Sequence, residues 1–279
     1  MDIGHGVDVG LGTDIGHDAD VGLGAEVGLG TDIDLLFVLI VLVAALWGAA
    51  TGTLLPRAAY RFSAPSGEAW RGRCPEGAHP VRGWLGRARC GQCEAGAACY
   101  GPRTAALATV TALVCAALAA ATGTRPELAV WLLLAPAGVL LAAVDLRVRR
   151  LPDPLTLPLA GAALVLLGLT ALVPGHAGEW TTALLGALAL GAGYLVLFLI
   201  NPAGMGFGDV KLALTAGAVL GWYGWPTVML GTFAGFLLGA LYGGALVVAR
   251  RAGRKTAIPF GPFLIAGAFL GVLAGAYAA

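Results

Sequence analysis

The chain has 279 residues but few charges, with 17 Lys and Arg, 16 Asp and Glu, and a formal net charge of +1. Charged residues make up 12% of the sequence, against about 25% in a typical soluble domain. Hydrophobic residues make up 58%, and the mean hydropathy is +0.83. This composition excludes an ordinary soluble enzyme, a nucleic-acid-binding protein and a disordered chain. It predicts an all-α polytopic membrane protein.

Residues 1–34 form a distinct N-terminal segment in which the sequences VGLG and GTDI recur. The segment is acidic, contains no Lys or Arg, and lacks the apolar core and positive region of a signal peptide. We therefore expect a disordered, Gly-rich tail outside the cell. A calcium-binding repeat is the alternative, but its Asp spacing would be sparser than in known calcium loops.

About eight apolar runs of transmembrane-helix character follow the tail. We predict helices at about 35–55, 104–123, 128–145, 154–173, 181–200, 210–222, 226–249 and 259–278. The first helix is followed by a basic loop at 56–103 that contains most of the cysteines, and the remaining helices form a membrane core at 104–279. The sixth run is the shortest of the set.

The distribution of Lys and Arg predicts the orientation of these helices. If the first helix runs from outside to inside, every Lys and Arg except Arg125 falls on the cytoplasmic side. This is the bias that the positive-inside rule requires. We therefore expect the N-terminus outside and the loop at 56–103 in the cytoplasm.

Two acidic residues fall at the predicted cytoplasmic ends of membrane helices. Asp145 ends the third helix and Asp209 opens the sixth. Ionisable groups within a membrane are costly and mark candidate functional sites. Two carboxylates brought together share a proton, so one can take a proton from water while the other donates one to the substrate. This is aspartic-protease chemistry, which needs no metal; the alternative is that Asp209 only caps a helix.

The residues around Asp209 suggest how a substrate would be bound. Gly204, Gly206 and Gly208 allow positive φ and close backbone approach, so an extended substrate could lie against the acid. We take Gly206 and Gly208 as candidate substrate-binding residues. Lys211 is a further candidate, because it could attract an acidic substrate residue or a lipid phosphate. A lysine that snorkels at a helix end is the alternative.

Residues 145–153 (DLRVRRLPD) and 206–212 (GFGDVKL) together resemble the two Asp motifs of the type IV prepilin peptidases, which are polytopic aspartic proteases of the GxGD class. Residues 258–264, and a degraded form of the family's opening segment at 52–61, extend the resemblance over about 35–279.

The resemblance implies that Asp145 and Asp209 are the catalytic pair. It implies an enzyme of the bacterial inner membrane that cuts the leader from prepilin or pseudopilin substrates at the cytoplasmic face, just before their apolar helix. Asp153, the second acid of the first motif, we interpret as the cap of the fourth helix, with Pro154 in its first turn. Membrane lipid is the other expected partner, and no nucleic acid is expected.

The basic loop contains four residues that suit a tetrahedral zinc ion, namely Cys74, His79, Cys90 and Cys93. Cys99 could replace His79, and in reducing cytoplasm a metal is expected rather than disulfides. In the family that the chain resembles, this loop binds zinc through two CxxC pairs. Here the second pair is intact, whereas Gly77 stands where the first pair would have its second Cys. Free thiols left from a decayed site are the alternative.

The resemblance also links the loop to N-methylation of the new pilin N-terminus, with S-adenosylmethionine as methyl donor. Trp84 and Cys90 lie in a stretch similar to that of the family, but Ala88 stands near the place of a functional Gly. The chain could therefore be a peptidase that has lost methylation. From the residues by themselves, a transporter or channel with the two Asp residues as an ion relay, or a non-catalytic assembly protein, also stays open.

Overall fold

The computed structural model describes residues 22–65, 67–93, 100–202, 204–249 and 259–279, with side chains described from residue 35 onward. Eight α-helices make up most of this part of the chain: α1 (Gly22–Phe62), α2 (Thr104–Thr122), α3 (Glu127–Val148), α4 (Asp153–Thr170), α5 (Trp180–Ile200), α6 (Phe207–Gly221), α7 (Trp225–Val248) and α8 (Gly261–Ala278). The described residues contain no β-strand and only one isolated antiparallel bridge, between Arg73 and Pro80. The all-α prediction is confirmed.

Seven of the helices are long and apolar enough to cross a membrane, so the chain is a multi-pass membrane protein. The exception is α6, which has 15 residues. At 1.5 Å per residue it is about 22 Å long, shorter than the roughly 30 Å of a bilayer core. Nearly all of α6 beyond its first turn is buried, and it contacts α4, α5, α7 and α8. The short sixth run is therefore an inner helix enclosed by longer ones.

α1 is longer than the sequence predicts at both ends. It begins at Gly22, inside the expected tail, and continues to Phe62 rather than ending near residue 55. The backbone of residues 22–34 is helical and residues 1–21 lie outside the described part, so the disordered tail stays a prediction. Extending an existing helix requires no new nucleus, so a stable apolar helix can propagate into a segment with poor intrinsic propensity.

α5 and α6 pack backbone to backbone as an antiparallel pair. A Cβ atom on Gly217 would lie 2.8 Å from the Cα atom of Ala187, and one on Gly221 would lie 3.0 Å from the Cα atom of Ala183. Only glycine permits this approach, which is the usual way in which membrane helices gain close packing. The pairing fixes the second half of α6 against the first half of α5.

The loop between α1 and α2 packs against the end of the helix bundle. Arg150, just beyond α3, donates a hydrogen bond from Nη1 to the carbonyl oxygen of Pro65 at 3.1 Å. The Arg150 guanidinium also lies over the ring of Trp70, 5.2 Å from its centroid. These contacts place the start of the loop at the end of the bundle where α3 terminates.

Candidate active site

Asp145 lies in the last turn of α3 and is only 4% exposed. Its Oδ2 atom accepts a hydrogen bond from the backbone N–H of Gly261, with an N···O distance of 3.1 Å. Gly261 is the first residue of α8, where N–H groups lack a partner within the helix and the helix dipole favours negative charge. The start of α8 therefore holds one oxygen of Asp145 in place.

Asp209 lies in the first turn of α6 and is 7% exposed. Its Oδ2 atom accepts a hydrogen bond from the backbone N–H of Gly206, the residue before the helix, at 3.1 Å. The capping role considered as an alternative is therefore present. It uses only one of the two carboxylate oxygens, so it does not compete with a chemical role for the other.

Leu151, in the turn between α3 and α4, packs between the start of α6, which carries Asp209, and the start of α8, which anchors Asp145. A Cβ atom added to Gly208 would lie 2.9 Å from the Cβ atom of Leu151, and one added to Gly261 would lie 3.4 Å from its Cδ1 atom. The carboxylates of Asp145 and Asp209 are close enough for their charges to interact. The structure thus brings the two predicted residues to one place.

The second oxygen of each carboxylate has no hydrogen-bond partner within the part of the chain that the structure describes. Among the described residues, neither Oδ1 atom has a hydrogen-bond partner, and neither is fully sealed from solvent. Two carboxylates in a buried site cannot readily both carry a charge, so the pair is suited to holding one shared proton. Such a pair can position a water and exchange protons with it.

The glycines before Asp209 differ from expectation in their backbone conformation. Gly204, Gly206 and Gly208 have no positive φ, and Gly206 is extended with φ −76° and ψ 144°. The expected positive φ is therefore wrong, because Gly206 serves as the N-cap of α6 and Gly208 already belongs to the helix. Close approach is seen instead at Gly208, where Leu151 leaves no room for a side chain.

Lys211 is paired within the protein. Its Nζ atom lies 2.7 Å from Oδ1 of Asp153, and 4.9 Å from the centroid of the Phe207 ring. Asp153 is the first residue of α4, and it makes this ion pair instead of a side-chain cap. The pair ties the start of α4 to the first turn of α6, next to Asp209.

Three cysteines of the loop form a group that could hold a metal ion. The Sγ atoms of Cys74, Cys90 and Cys93 all lie within 4.8 Å of one another, and those of Cys74 and Cys93 are 3.7 Å apart. The Nδ1 atom of His79 lies 3.5 Å from Sγ of Cys90 and 3.6 Å from Sγ of Cys93. Zinc bond lengths of about 2.3 Å to sulfur and 2.0 to 2.1 Å to nitrogen give tetrahedral edges of about 3.8 and 3.6 Å. The Cys74–Cys93, Cys90–His79 and Cys93–His79 distances match these edges, whereas the His79 nitrogens do not lie within 4.8 Å of all three sulfurs.

Gly77 explains why a histidine can belong to this group. A Cβ atom at Gly77 would lie 2.6 Å from Nδ1 of His79. The imidazole therefore fills the space that a side chain at position 77 would need. Cys99, the alternative fourth ligand, lies outside the described residues.

The cysteines of the group differ in acidity. Backbone N–H groups, first that of Gly77, hold the pKa of Cys74 below its usual value. Contact with the Cys90 thiol, together with burial, raises the pKa of Cys93 to about 12. Neighbouring sulfurs resist a second negative charge, and a bound cation would remove that penalty.

Arginines at the end of α1 hold the loop by its backbone. Arg57 donates from Nη1 to the carbonyl oxygen of Arg82 at 2.9 Å, and Arg61 donates from Nη1 to that of Gly83 at 2.7 Å. The Arg61 guanidinium also lies 4.0 Å from the centroid of the Trp84 ring. These basic side chains thus have a structural role in fixing the loop.

Two features of the site were not predicted from the sequence. One is the backbone N–H of Gly261, which lies far from Asp145 along the chain. The other is Tyr194 of α5, which is buried and within electrostatic reach of Asp209.

A third buried acid, Glu127, lies at the opposite end of α3 from Asp145. Its Oε1 atom accepts a hydrogen bond from the backbone N–H of Ala177 at 3.3 Å. Because it is far from the carboxylate pair, Glu127 is a structural anchor for the loop before α5.

Comparison with known proteins adds an independent line of evidence. Residues 128–244, which include Asp145 and Asp209, match the type IV leader peptidase family. The chain is 34% identical to the prepilin leader peptidase/N-methyltransferase of Aeromonas salmonicida (strain A449) over 225 residues, which cover 74% of this chain and 72% of that protein. It is similar to the proteins of the same name from Aeromonas hydrophila, with 35% identity and 74% and 72% coverage, and from Pseudomonas aeruginosa, with 32% identity and 72% and 71% coverage. No solved structure matches the chain.

Proposed function

The chain belongs to the type IV leader peptidase family, and we propose on this basis that it is a membrane aspartic endopeptidase that removes the leader from type IV prepilin-like proteins. Asp145 and Asp209 are the proposed catalytic residues. The observation that carries the proposal is the arrangement of the two buried carboxylates, each with one oxygen bound to a backbone N–H and the other without a partner among the described residues.

The proposed reaction is general acid–base hydrolysis of one peptide bond. The ionised carboxylate takes a proton from a water, whose oxygen attacks the scissile carbonyl carbon, while the protonated carboxyl donates to the carbonyl oxygen. Breakdown of the tetrahedral intermediate breaks the C–N bond and returns a proton to the leaving amine. The hydrogen bonds from Gly206 and Gly261 keep the Oδ2 atoms fixed, so the free Oδ1 atoms would carry the proton transfers.

An apolar groove of about 430 Å³ supports a membrane-bound substrate. It is lined by side chains of α2, α3, α6 and α8, and it reaches Leu146 and Pro262, the neighbours of Asp145 and Gly261. Small residues on α3, such as Gly138, would let a helix approach closely. The apolar helix that follows the cleavage site of a prepilin would fit here, with its leader at the carboxylate pair.

The proposed location is the bacterial inner membrane, with the N-terminus outside and the carboxylate pair at the cytoplasmic face. The distribution of Lys and Arg supports this orientation, because only Arg125 lies at the opposite end. A basic leader would remain on the cytoplasmic side by the same rule, at the end of the bundle where the pair lies.

We further propose that Cys74, His79, Cys90 and Cys93 hold a structural zinc ion. The spacing of the sulfur and nitrogen atoms supports this assignment. Zinc would cross-link a loop whose described residues contain no helix or strand of their own, and it would supply no group to the carboxylate pair.

Methylation of the new N-terminus is a second candidate activity. It is favoured by the names of the relatives, which include N-methyltransferase. S-adenosylmethionine would supply the methyl group. The rings of Tyr60, Trp70 and Trp84, which could stack on an adenine, each already have a guanidinium over them. One face of each ring is thus covered, and we assign no site for this cofactor.

The proposal is tested by co-expressing the chain with a candidate prepilin and following cleavage by gel shift and mass spectrometry. We expect the wild type to cut after a Gly, and Asp145→Asn and Asp209→Asn each to lower the rate by about 10³-fold, because proton transfer is lost. Both variants should remain in the membrane at wild-type levels. A further gain of about 14 Da on the product would show methylation as well.

Different outcomes would point to a different function. Wild-type cleavage by an Asn variant would remove that Asp from the catalytic pair. If no prepilin of any class is cut, ion flux across proteoliposomes would be measured next. Flux abolished by both Asn variants would support an ion relay, whereas pilus assembly that survives both variants would support a non-catalytic assembly role.

A further inference from the structure

Among the described residues, the buried hydroxyl group of Tyr194 has no hydrogen-bond partner. The residue lies on α5 and is 2% exposed, and its OH atom is buried and unpaired among the described residues. Buried polar groups are nearly always hydrogen-bonded, and an unpaired one in the membrane region is especially costly. Phenylalanine at this position would avoid that cost, so the hydroxyl of Tyr194 is a candidate for a functional role.

The packing of α5 against α6 directs Tyr194 towards the carboxylate pair. The two helices are antiparallel, with Gly186 against Gly217 and Ala183 against Gly221. Continuing this pairing along both helices brings Tyr194 level with residues 209 and 210. This register places Tyr194 beside the first turn of α6, which carries Asp209.

The ring of Tyr194 is held from the other side by two phenylalanines. Its centroid lies 5.7 Å from that of Phe236 and 6.0 Å from that of Phe260, and these two rings are themselves 5.1 Å apart. Phe260 directly precedes Gly261, whose N–H binds Asp145. The ring is thus packed between the segment that carries Asp209 and the segment that anchors Asp145, while its hydroxyl stays free.

We propose that Tyr194 is a third catalytic residue, whose hydroxyl donates a hydrogen bond to the carbonyl oxygen of the scissile peptide bond as negative charge develops on it. The inference rests on the proposed peptidase function. A neutral phenol is a good donor, and the resting enzyme does not use this donor for either carboxylate. Tyr194 would form no covalent bond and would keep its proton, so the proton transfers would stay with the two Asp residues.

A donor placed in advance at the oxygen that becomes charged stabilises the transition state more than the bound substrate. Its loss should therefore lower kcat and leave KM nearly unchanged. A residue that only packed would behave differently, because removing its OH group would leave both constants unchanged.

The test compares the full-length Tyr194→Phe and Tyr242→Phe enzymes in steady-state cleavage of a prepilin that the wild type cuts. Tyr242 is a suitable control because it also packs on α8, with its ring 5.3 Å from that of Phe263, but its side chain is exposed. We expect Tyr194→Phe to lower kcat about 10²-fold with KM within about 3-fold of wild type. Tyr242→Phe should match the wild type.

A second measurement keeps the ring and varies only the donor. Incorporating 3-fluorotyrosine at position 194 gives a stronger hydrogen-bond donor in nearly the same volume, and we expect its kcat to rise above that of the wild type. If Tyr194→Phe cuts at the wild-type rate, the inference is wrong while the peptidase function stands. If Tyr194→Phe is absent from the membrane, a fluorotyrosine enzyme with kcat insensitive to donor strength would overturn it. Failure of the proposed function itself is recognised separately, because the wild type would then cut nothing.

Discussion

The carboxylate pair and the Cys–His group are built in different ways. The pair takes residues from α3, α6 and the start of α8, and Asp145 and its donor Gly261 are 116 residues apart in the chain. The Cys–His group takes all its residues from one loop, where its outermost members, Cys74 and Cys93, are 19 residues apart. The first site depends on the packing of the whole bundle, and the second depends on a local segment.

This difference predicts how each site responds to change. Small displacements of a helix end should alter the carboxylate pair and hence the rate of cleavage. Changes in the Cys–His group should alter metal content and loop stability, with a smaller effect on chemistry. Three sets of variants test this contrast, in order of decreasing effect on cleavage.

The largest effect is expected for Gly261→Ala. The new Cβ atom would lie 2.8 Å from Oδ2 of Asp145, so the carboxylate must move and its hydrogen bond from the N–H of residue 261 must lengthen. A misplacement of about 1 Å in a catalytic group can lower the rate by about 10²-fold, and we expect a loss of kcat of that order. Steady-state cleavage of a prepilin by the purified variant measures it.

Gly244→Ala on α7 is the matched control, because a Cβ atom there meets no atom within 4 Å. This variant should cleave at the wild-type rate. If Gly261→Ala also does, the Gly261 hydrogen bond does not position Asp145. Equal losses in both variants would instead indicate that added methyl groups affect the bundle as a whole.

Much of the fold follows from the sequence, since apolar runs in a charge-poor chain can only be membrane helices. The predicted helix bounds are wrong where a helix's length depends on its surroundings rather than on its own sequence. The sixth run is too short to span a bilayer. It can be short because α6 is enclosed by other helices, so its ends need not reach the two membrane surfaces. The extension of α1 to Gly22 depends on the stable helix that follows it rather than on local composition.

The candidate site, like the fold, could be predicted only in part from the sequence. Asp145 and Asp209 stand out in sequence because acids are rare in membrane helices. Tyr194 does not, since a tyrosine in an apolar run usually indicates packing or an interface. Only the register between α5 and α6 reveals its position beside Asp209. The donor role of Gly261 is hidden for a similar reason, because nearly every residue has a backbone N–H.

Variants of the Cys–His group should have a smaller effect on cleavage than Gly261→Ala. They should have a large effect on metal content. His79→Ala should lose zinc, because one of four ligands is removed. The double variant Gly77→Cys with His79→Ala should bind zinc again, because the imidazole then no longer fills the space beside position 77. Metal analysis of the purified proteins measures this, with limited proteolysis of the loop as a second readout. Both variants should retain most of the cleavage activity.

Cys115→Ala is the control for loss of a buried thiol, since Cys115 lies within α2 and outside the loop. It should keep its zinc. Zinc that persists in His79→Ala would show that His79 is not a ligand. A double variant that stays metal-free, while His79→Ala alone loses zinc, would show that position 77 cannot supply the ligand.

The smallest effect is expected for the ion pair between Lys211 and Asp153. Asp153 is 65% exposed, so water screens the pair, and breaking it should cost no more than about 1 kcal/mol of stability. If Lys211 serves only this pair, Lys211→Met and Asp153→Asn should lower the melting temperature by similar small amounts and leave KM unchanged. If Lys211 binds an acidic substrate residue, the two variants should diverge, because Lys211→Met would raise KM while Asp153→Asn would free the lysine and lower it. Measuring KM for prepilins with an acidic or a neutral residue near the cleavage site therefore separates a structural contact from substrate recognition, at a residue adjacent to the carboxylate pair.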